Sequence, residues 1–233
     1  MKGIKYLISF LVLMALVLGI QTSSHAIATL YLSDGTNTVT VADGSGGDLN
    51  GAAGAVTFSG AIGGWTVNVT TGITYPVLGS PADAHFDLNS VNVNTNAATT
   101  LTIRFSEVGF LGPLLGGIFA TNELVGGTLS APAGSTAIFG SFLDPANVLF
   151  AMTSPLGSAG PFGPGAFAAT FGGSAATGTP FSLTSQAILA FTGAGIASFD
   201  YELQAVPEPI SLILFGSGLA GVGFYRRLRK PRG

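Results

Sequence analysis

Apolar and polar residues alternate with a period of two through much of the middle of the chain. The runs are Thr38-Val39-Thr40-Val41, Val56-Thr57-Phe58, Trp65-Thr66-Val67-Asn68-Val69-Thr70, Val91-Asn92-Val93-Asn94 and Leu101-Thr102-Ile103-Arg104-Phe105. Each sets aliphatic or aromatic side chains on one side and mostly Thr or Asn on the other. Successive side chains of a strand point to opposite faces, so these runs predict half-buried antiparallel strands. Further strands are expected at 28–33, 84–89, 136–143, 148–153, 181–191 and 196–203. Gly, Pro and Asn separate the runs where turns would lie. Many short strands split in this way predict an all-β fold, an antiparallel β-sandwich, with a jelly roll as one way of winding it. Residues 112–127 and 155–178 are glycine-rich and poorly patterned, and are expected to be loops. A helix over 183–189 is the competing local reading.

The two ends lose this alternation. Near the start, Lys2 and Lys5 precede an apolar stretch over 6–20, and Ser24-His25-Ala26 offers small residues at the two positions a signal peptidase reads. A secretory signal helix cut after Ala26 is expected. Near the other end, Pro207-Glu208-Pro209 precedes 16 mostly apolar residues, Ile210 to Tyr225. As a helix these span about 24 Å, a short crossing of a hydrocarbon core ~30 Å thick. Arg226, Arg227, Arg229, Lys230 and Arg232 follow at once and would stay on the cytoplasmic side. The expected division is a signal peptide (1–26), an exported domain (27–205) and a C-terminal segment (206–233). That segment divides into a motif (206–209), a transmembrane helix (210–225) and a basic cytoplasmic tail (226–233).

Charge sharpens the picture of the middle part. Residues 27–205 contain one basic side chain, Arg104, against ten carboxylates, a formal charge of −9. The whole-chain value of −3 hides this, because the other basic residues sit in the two end segments. Such a domain has almost nothing to neutralise phosphates, which excludes nucleic acid as a partner. There is no cysteine, so the exported domain must be held by core burial alone. Glycine is about twice as frequent in it as the usual ~7%.

Candidate chemistry is sparse. His85 is the only histidine of the exported domain, and Asp83-Ala84-His85-Phe86-Asp87 would set three polar side chains on one strand face. Two carboxylates beside an imidazole suit a metal or a general base; a polar strand face in water is the plainer reading. Asp43 and Asp48 frame a glycine-rich loop with oxygen donors that calcium favours, although the ligand spacing of an EF-hand is missing and an acidic turn explains it as well. Trp65 opens an alternating strand and is expected to anchor the core rather than stack on a sugar. No catalytic residue and no required cofactor are expected.

Pro207-Glu208-Pro209, the glycine-bearing apolar segment and the Arg-rich end together resemble a PEP-CTERM sorting signal over about 206–232. The resemblance implies a substrate of an exosortase, a membrane-embedded cysteine transpeptidase that cuts near the tripeptide and passes the exported part to the cell surface or the polysaccharide matrix. Leu32-Ser33-Asp34-Gly35, Gly63-Gly64-Trp65-Thr66-Val67, Asp87-Leu88-Asn89-Ser90 and Leu101-Thr102-Ile103-Arg104-Phe105-Ser106 resemble blocks in other passengers of such signals, and imply no activity. The expectation is therefore an exported, non-enzymatic surface or biofilm-matrix protein, with signal peptidase and exosortase as partners in export. Two alternatives stay open: a carbohydrate-binding module, calcium-assisted or not, and a secreted hydrolase.

Overall fold

A computed structural model describes residues 27–206 apart from 113 and 115. The predicted signal helix, Ala26, Pro207-Glu208-Pro209, the apolar segment and the basic tail lie outside the described residues. Among the described residues no helix is long and apolar enough to cross a membrane.

Thirteen strands follow one another along the described chain. They are β1 (Thr29–Ser33), β2 (Thr38–Ala42), β3 (Ala55–Ile62), β4 (Trp65–Ile73), β5 (His85–Thr95), β6 (Thr99–Phe110) and β7 (Ile118–Ser130). Then come β8 (Thr136–Asp144), β9 (Ser154–Phe162), β10 (Gly165–Phe171), β11 (Ser174–Ala176), β12 (Phe181–Phe191) and β13 (Gly195–Ala205). They pair antiparallel into two sheets. The first has the order β2-β1-β6-β12-β8-β9 and the second β10-β7-β13-β5-β4-β3, with β11 also on β7. The expected antiparallel β-sandwich is thus present. From β5 to β8 each strand crosses to the other sheet, so sequence neighbours face each other across the core.

The inner faces are the apolar faces read from the alternation. Leu30, Leu32, Leu101, Ile103 and Phe105 of the first sheet and Trp65, Val67, Phe86, Leu88 and Val93 of the second are fully buried. Rings bridge the two sheets: Phe86 meets Phe105 at 5.2 Å between centroids, Trp65 meets Phe191 at 4.9 Å, and Phe139 meets Phe199 at 5.0 Å. Each such pair adds about 0.5–1.5 kcal/mol beyond area burial, which matters in a fold without disulfides. Trp65 is a core anchor, as its place in the alternation predicts.

Four local expectations are corrected. Residues 112–127 and 155–178 are not loops throughout: β7 takes up Ile118–Ser130, and β9, β10 and β11 fill most of the later stretch. Glycine stands inside β7 and β9 for a packing reason. A Cβ on Gly127 of β7 would lie 2.7 Å from the Phe199 Cβ and 2.8 Å from the Phe167 ring, so only a bare backbone fits beneath those side chains. Residues 148–153 do not form a strand. Asp144 at the end of β8 accepts the Val148 N–H at 2.9 Å and the Thr153 hydroxyl at 2.6 Å, which curls the chain back into β9. The competing helix at 183–189 is absent, since β12 runs as a central strand between β6 and β8. The separately predicted 84–89 and Val91–Asn94 segments are one strand, β5, bulged at Ser90, whose φ is 54°.

Candidate functional site

Burying one face of β4, β5, β13 and β7 leaves their other residues in a polar outer surface. Register sets them in rows. Asn68, Asn92, Ser198 and Thr128 lie side by side across four strands; Thr66, Asn94, Ile196 and Ser130 form the next row. Adjacent strands stand about 4.8 Å apart, so these rows present closely spaced donors and acceptors.

Further along the same face is a shallow groove of about 470 Å³, bordered by Asp87, Asn89, Leu124, Gly126, Asp200 and Glu202. Asp87 and Glu202 are direct cross-strand partners. Asp200 sits at the β5 bulge and accepts the Ser90 N–H at 2.5 Å. Gly126 and the neighbouring Ala168 keep the groove floor low. Burial raises the Asp87 carboxyl above its ordinary range, and the charges of Glu202 and Asp200 add to this against a lowering hydrogen bond from Asn89.

Of Asp83, His85 and Asp87, the last two share the outer face of β5, where the His85 charge works against the rise of the Asp87 carboxyl. Asp83 lies in the turn before β5, bridged backbone to backbone with Ser80. His85 Nε2 is 2.6 Å from Glu202 Oε1 on β13, so the imidazole is held by a carboxylate 117 residues away. Sequence reading had no local signal for that partner. Arg104 is on the outer face of the other sheet, where its Nε donates to Gln186 at 2.7 Å and its guanidinium lies 5.7 Å above the Tyr31 ring.

The Asp43 and Asp48 loop is organised differently from a calcium turn built on both carboxylates. Asp48 spends its oxygens on backbone N–H groups: Asn50 and Thr57 at 2.9 Å on Oδ1, Gly44 at 3.0 Å on Oδ2. Asp43 Oδ2 accepts the Gly54 N–H at 2.7 Å. Asp48 thus shapes the loop, while the Asp43 charge is felt by Glu107 of β6.

Two glutamates, Glu107 and Glu123, are inside the sandwich, and nothing in the sequence ties them to each other or to a role. Glu123 on β7 is fully buried and accepts three hydroxyl hydrogen bonds. Thr121 donates at 2.9 Å and Tyr201 at 2.5 Å; Ser141, on the facing sheet, donates as well. Burial pushes its carboxyl up, and the three hydroxyls oppose that. Glu107 on β6 is also fully buried. Its Oε2 accepts the Thr74 hydroxyl at 2.5 Å, while its Oε1 meets no donor among the described residues. Burial pushes it up to about 8; the Thr74 hydrogen bond lowers it, and the Asp43 charge raises it further. The signal was present in the alternation: Leu101, Ile103, Phe105 and Glu107 share one parity, as do Phe119, Glu123 and Val125.

No curated protein matches the chain. Among solved structures it is similar to TmCBM61 in complex with beta-1,4-galactotriose, at 9% identity and TM-score 0.33, covering 64% of this chain and 92% of that one. It is similar to the mannan-recognising carbohydrate-binding module TmCBM27 at 10% identity and TM-score 0.29, covering 54% and 75%. The C-terminal CBM6 of LamC from Zobellia galactanivorans is 16% identical, with TM-score 0.24, covering 48% and 78%. Likeness at these scores carries no functional argument. In sequence, residues 205–230 match the family model of the PEP-CTERM protein-sorting motif. The chain carries that motif, and is an exported protein anchored through its C-terminal segment before processing.

Proposed function

We propose that the exported sandwich is a non-enzymatic protein of the cell surface or the extracellular polysaccharide matrix, delivered there by an exosortase acting at Pro207-Glu208-Pro209. The join between fold and motif carries this reading. The last strand ends at Ala205, whose N–H donates to Ala84 O at 2.8 Å; Val206 N–H donates to Ala120 O at 2.9 Å. The sorting motif begins at 205. A cut at the tripeptide therefore leaves every strand of the sandwich in the released part. Two prolines leave that tripeptide poor in backbone donors, which suits a segment presented to a membrane-bound protease. The placement of the acids also supports a passive cargo: Glu107 and Glu123 are inside the fold, and Asp48 and Asp144 shape loops.

Replacing Pro207-Glu208-Pro209 with three alanines is expected to leave an unprocessed, membrane-retained precursor. Intact-mass analysis of the extracellular fraction reads the outcome, and normal release of the mutant would end the sorting role.

A second reading, saccharide binding on the outer face of the second sheet, is favoured by the rows through Asn68, Asn92, Ser198 and Thr128. Amides and hydroxyls in register suit a hydroxyl-rich polymer, and the −9 charge does not oppose a neutral one. Pull-down of the full chain on the exopolysaccharide of the producing cells is expected to weaken about tenfold or more when Asn68 and Asn92 both become Ala, the loss of about 1.4 kcal/mol. Equal retention of both proteins would remove this reading and leave the sorting reading standing.

A further inference from the structure

The unpartnered oxygen of Glu107 sits in a small ring of residues drawn from both sheets. Gly54 N–H donates to Asp43 Oδ2 at 2.7 Å, and Gly54 O accepts the Thr74 N–H at 2.8 Å. Thr74, fully buried, donates its hydroxyl to Glu107 Oε2 at 2.5 Å. The ring closes on the first sheet through Ala28. The last paired positions there are Thr29 with Ala42 on one side and Thr29 with Ser106 on the other. One step further, Ala28 stands between Asp43 and Glu107, and Asp43 N–H donates to Ala28 O at 2.9 Å. Alternation puts Ala28 on the same inner face as Leu30 and Leu32. Asp43 and Glu107 share that face by register. Two strand spacings, about 10 Å, separate the two acidic strands, with Ala28 on the strand between them.

Two acids thus flank Ala28 at one edge of the core, near enough for the Asp43 charge to raise Glu107, and one Glu107 oxygen is buried without a donor among the described residues. Ionised, a carboxylate buried there needs a cationic partner. The single arginine of residues 27–205 is engaged with Gln186 and Tyr31 on the outer face. The imidazole of His85 is on the outer face of the second sheet.

We propose that Glu107, Asp43 and the Thr74 hydroxyl hold a hard divalent cation of the calcium type at this edge of the sandwich. Calcium takes about six to eight oxygen ligands and tolerates irregular geometry. Glu107 supplies the carboxylate from β6, Asp43 the one from the loop after β2, and Thr74 a hydroxyl from the end of β4. Asp43 is half-buried, so water reaches the site to complete the shell. The ion ties the two sheets together where the ladder of β1 ends. Asp48, the other acid of the same loop, takes no part because backbone N–H groups already occupy it.

The test uses the full chain in mild detergent, stripped with a chelator and titrated with CaCl2. Isothermal titration is expected to show one saturable site. The melting temperature is expected to rise by about 5–10 °C when calcium reaches roughly 100 times its Kd. Glu107→Gln and Asp43→Asn should each abolish the shift, and MgCl2 should give a smaller one. No saturable calcium binding to the wild-type chain overturns the proposal, whatever the variants do. So does a calcium shift that survives in Glu107→Gln. The sorting reading does not depend on this ion, and release of the exported part would remain its separate measure.

Discussion

Glu123→Ala is expected to destabilise the sandwich by about 3–5 kcal/mol, the range for removing one member of a buried polar network. The carboxylate receives hydroxyls from Thr121 on its own strand, Tyr201 on the adjacent strand and Ser141 on the facing sheet. Alanine removes the shared acceptor of three buried donors, and opens a void between the sheets. Each stranded donor costs about 1–3 kcal/mol, reduced where a hydroxyl turns to another acceptor. For a domain of this size the melting temperature should fall by roughly 10 °C. Tyr201→Phe removes only one of the donors and is expected to cost about 1 kcal/mol. Thermal unfolding followed by near-ultraviolet circular dichroism measures both. A Glu123→Ala protein that melts with the wild type would show that the three hydroxyls do not depend on this carboxylate.

The second large effect is a loss of stability as pH rises. An ordinary glutamate titrates near 4.5, and Glu107 in the folded chain is pushed up to about 8. The fold therefore favours the protonated acid. The stability from this group is complete below about pH 4.5 and is lost as pH rises through 8. One proton over that interval amounts to about 1.4 kcal/mol per pH unit, or ~4–5 kcal/mol in all. Glu123 and Asp87 are also raised by burial and act in the same direction. Asp34 is lowered by hydrogen bonds from Asn37, and Asp144 by its bond from Thr153. Their contribution is present above about pH 4 and is lost only below it. Stability in chelator should thus peak near pH 4–5 and decline toward pH 8, by roughly 10 °C in melting temperature. Glu107→Gln should flatten most of that decline, since a neutral amide has no proton to lose. Chelator is needed because a cation at Oε1 would replace the proton. An unchanged slope in Glu107→Gln would assign the pH dependence to other groups.

The strands that were legible in the sequence share one property. Val39, Val41, Val67, Val93, Leu101 and Ile103 alternate with Thr, Asn or Arg, so a half-buried strand is the only arrangement that hides one set and wets the other. Two of the strands that were misread, β7 and β9, contain glycine where a side chain would collide. Gly127 sits under Phe167 and beside Phe199, and the need for that gap arises only when β7, β10 and β13 have come together. Residues 148–153 failed for the opposite reason. They are apolar enough for a strand, yet Asp144 supplies the hydrogen bonds of a turn. The site residues divide in the same way. Asp43, Asp48, His85 and Asp87 could be named as polar groups near turns or on strand faces. Their partners, Glu107 across Ala28 and Glu202 across the sheet, are set by pairing register between distant segments.

The chain alone determined its address and its class. A tripeptide, an apolar segment and a basic end are contiguous, and a period of two is a property of neighbours, so both can be read without folding anything. Only the tertiary structure decided which carboxylates meet and which are shut away from water. Those outcomes depend on strand order and register, where one position of slip turns a buried acid into a solvated one.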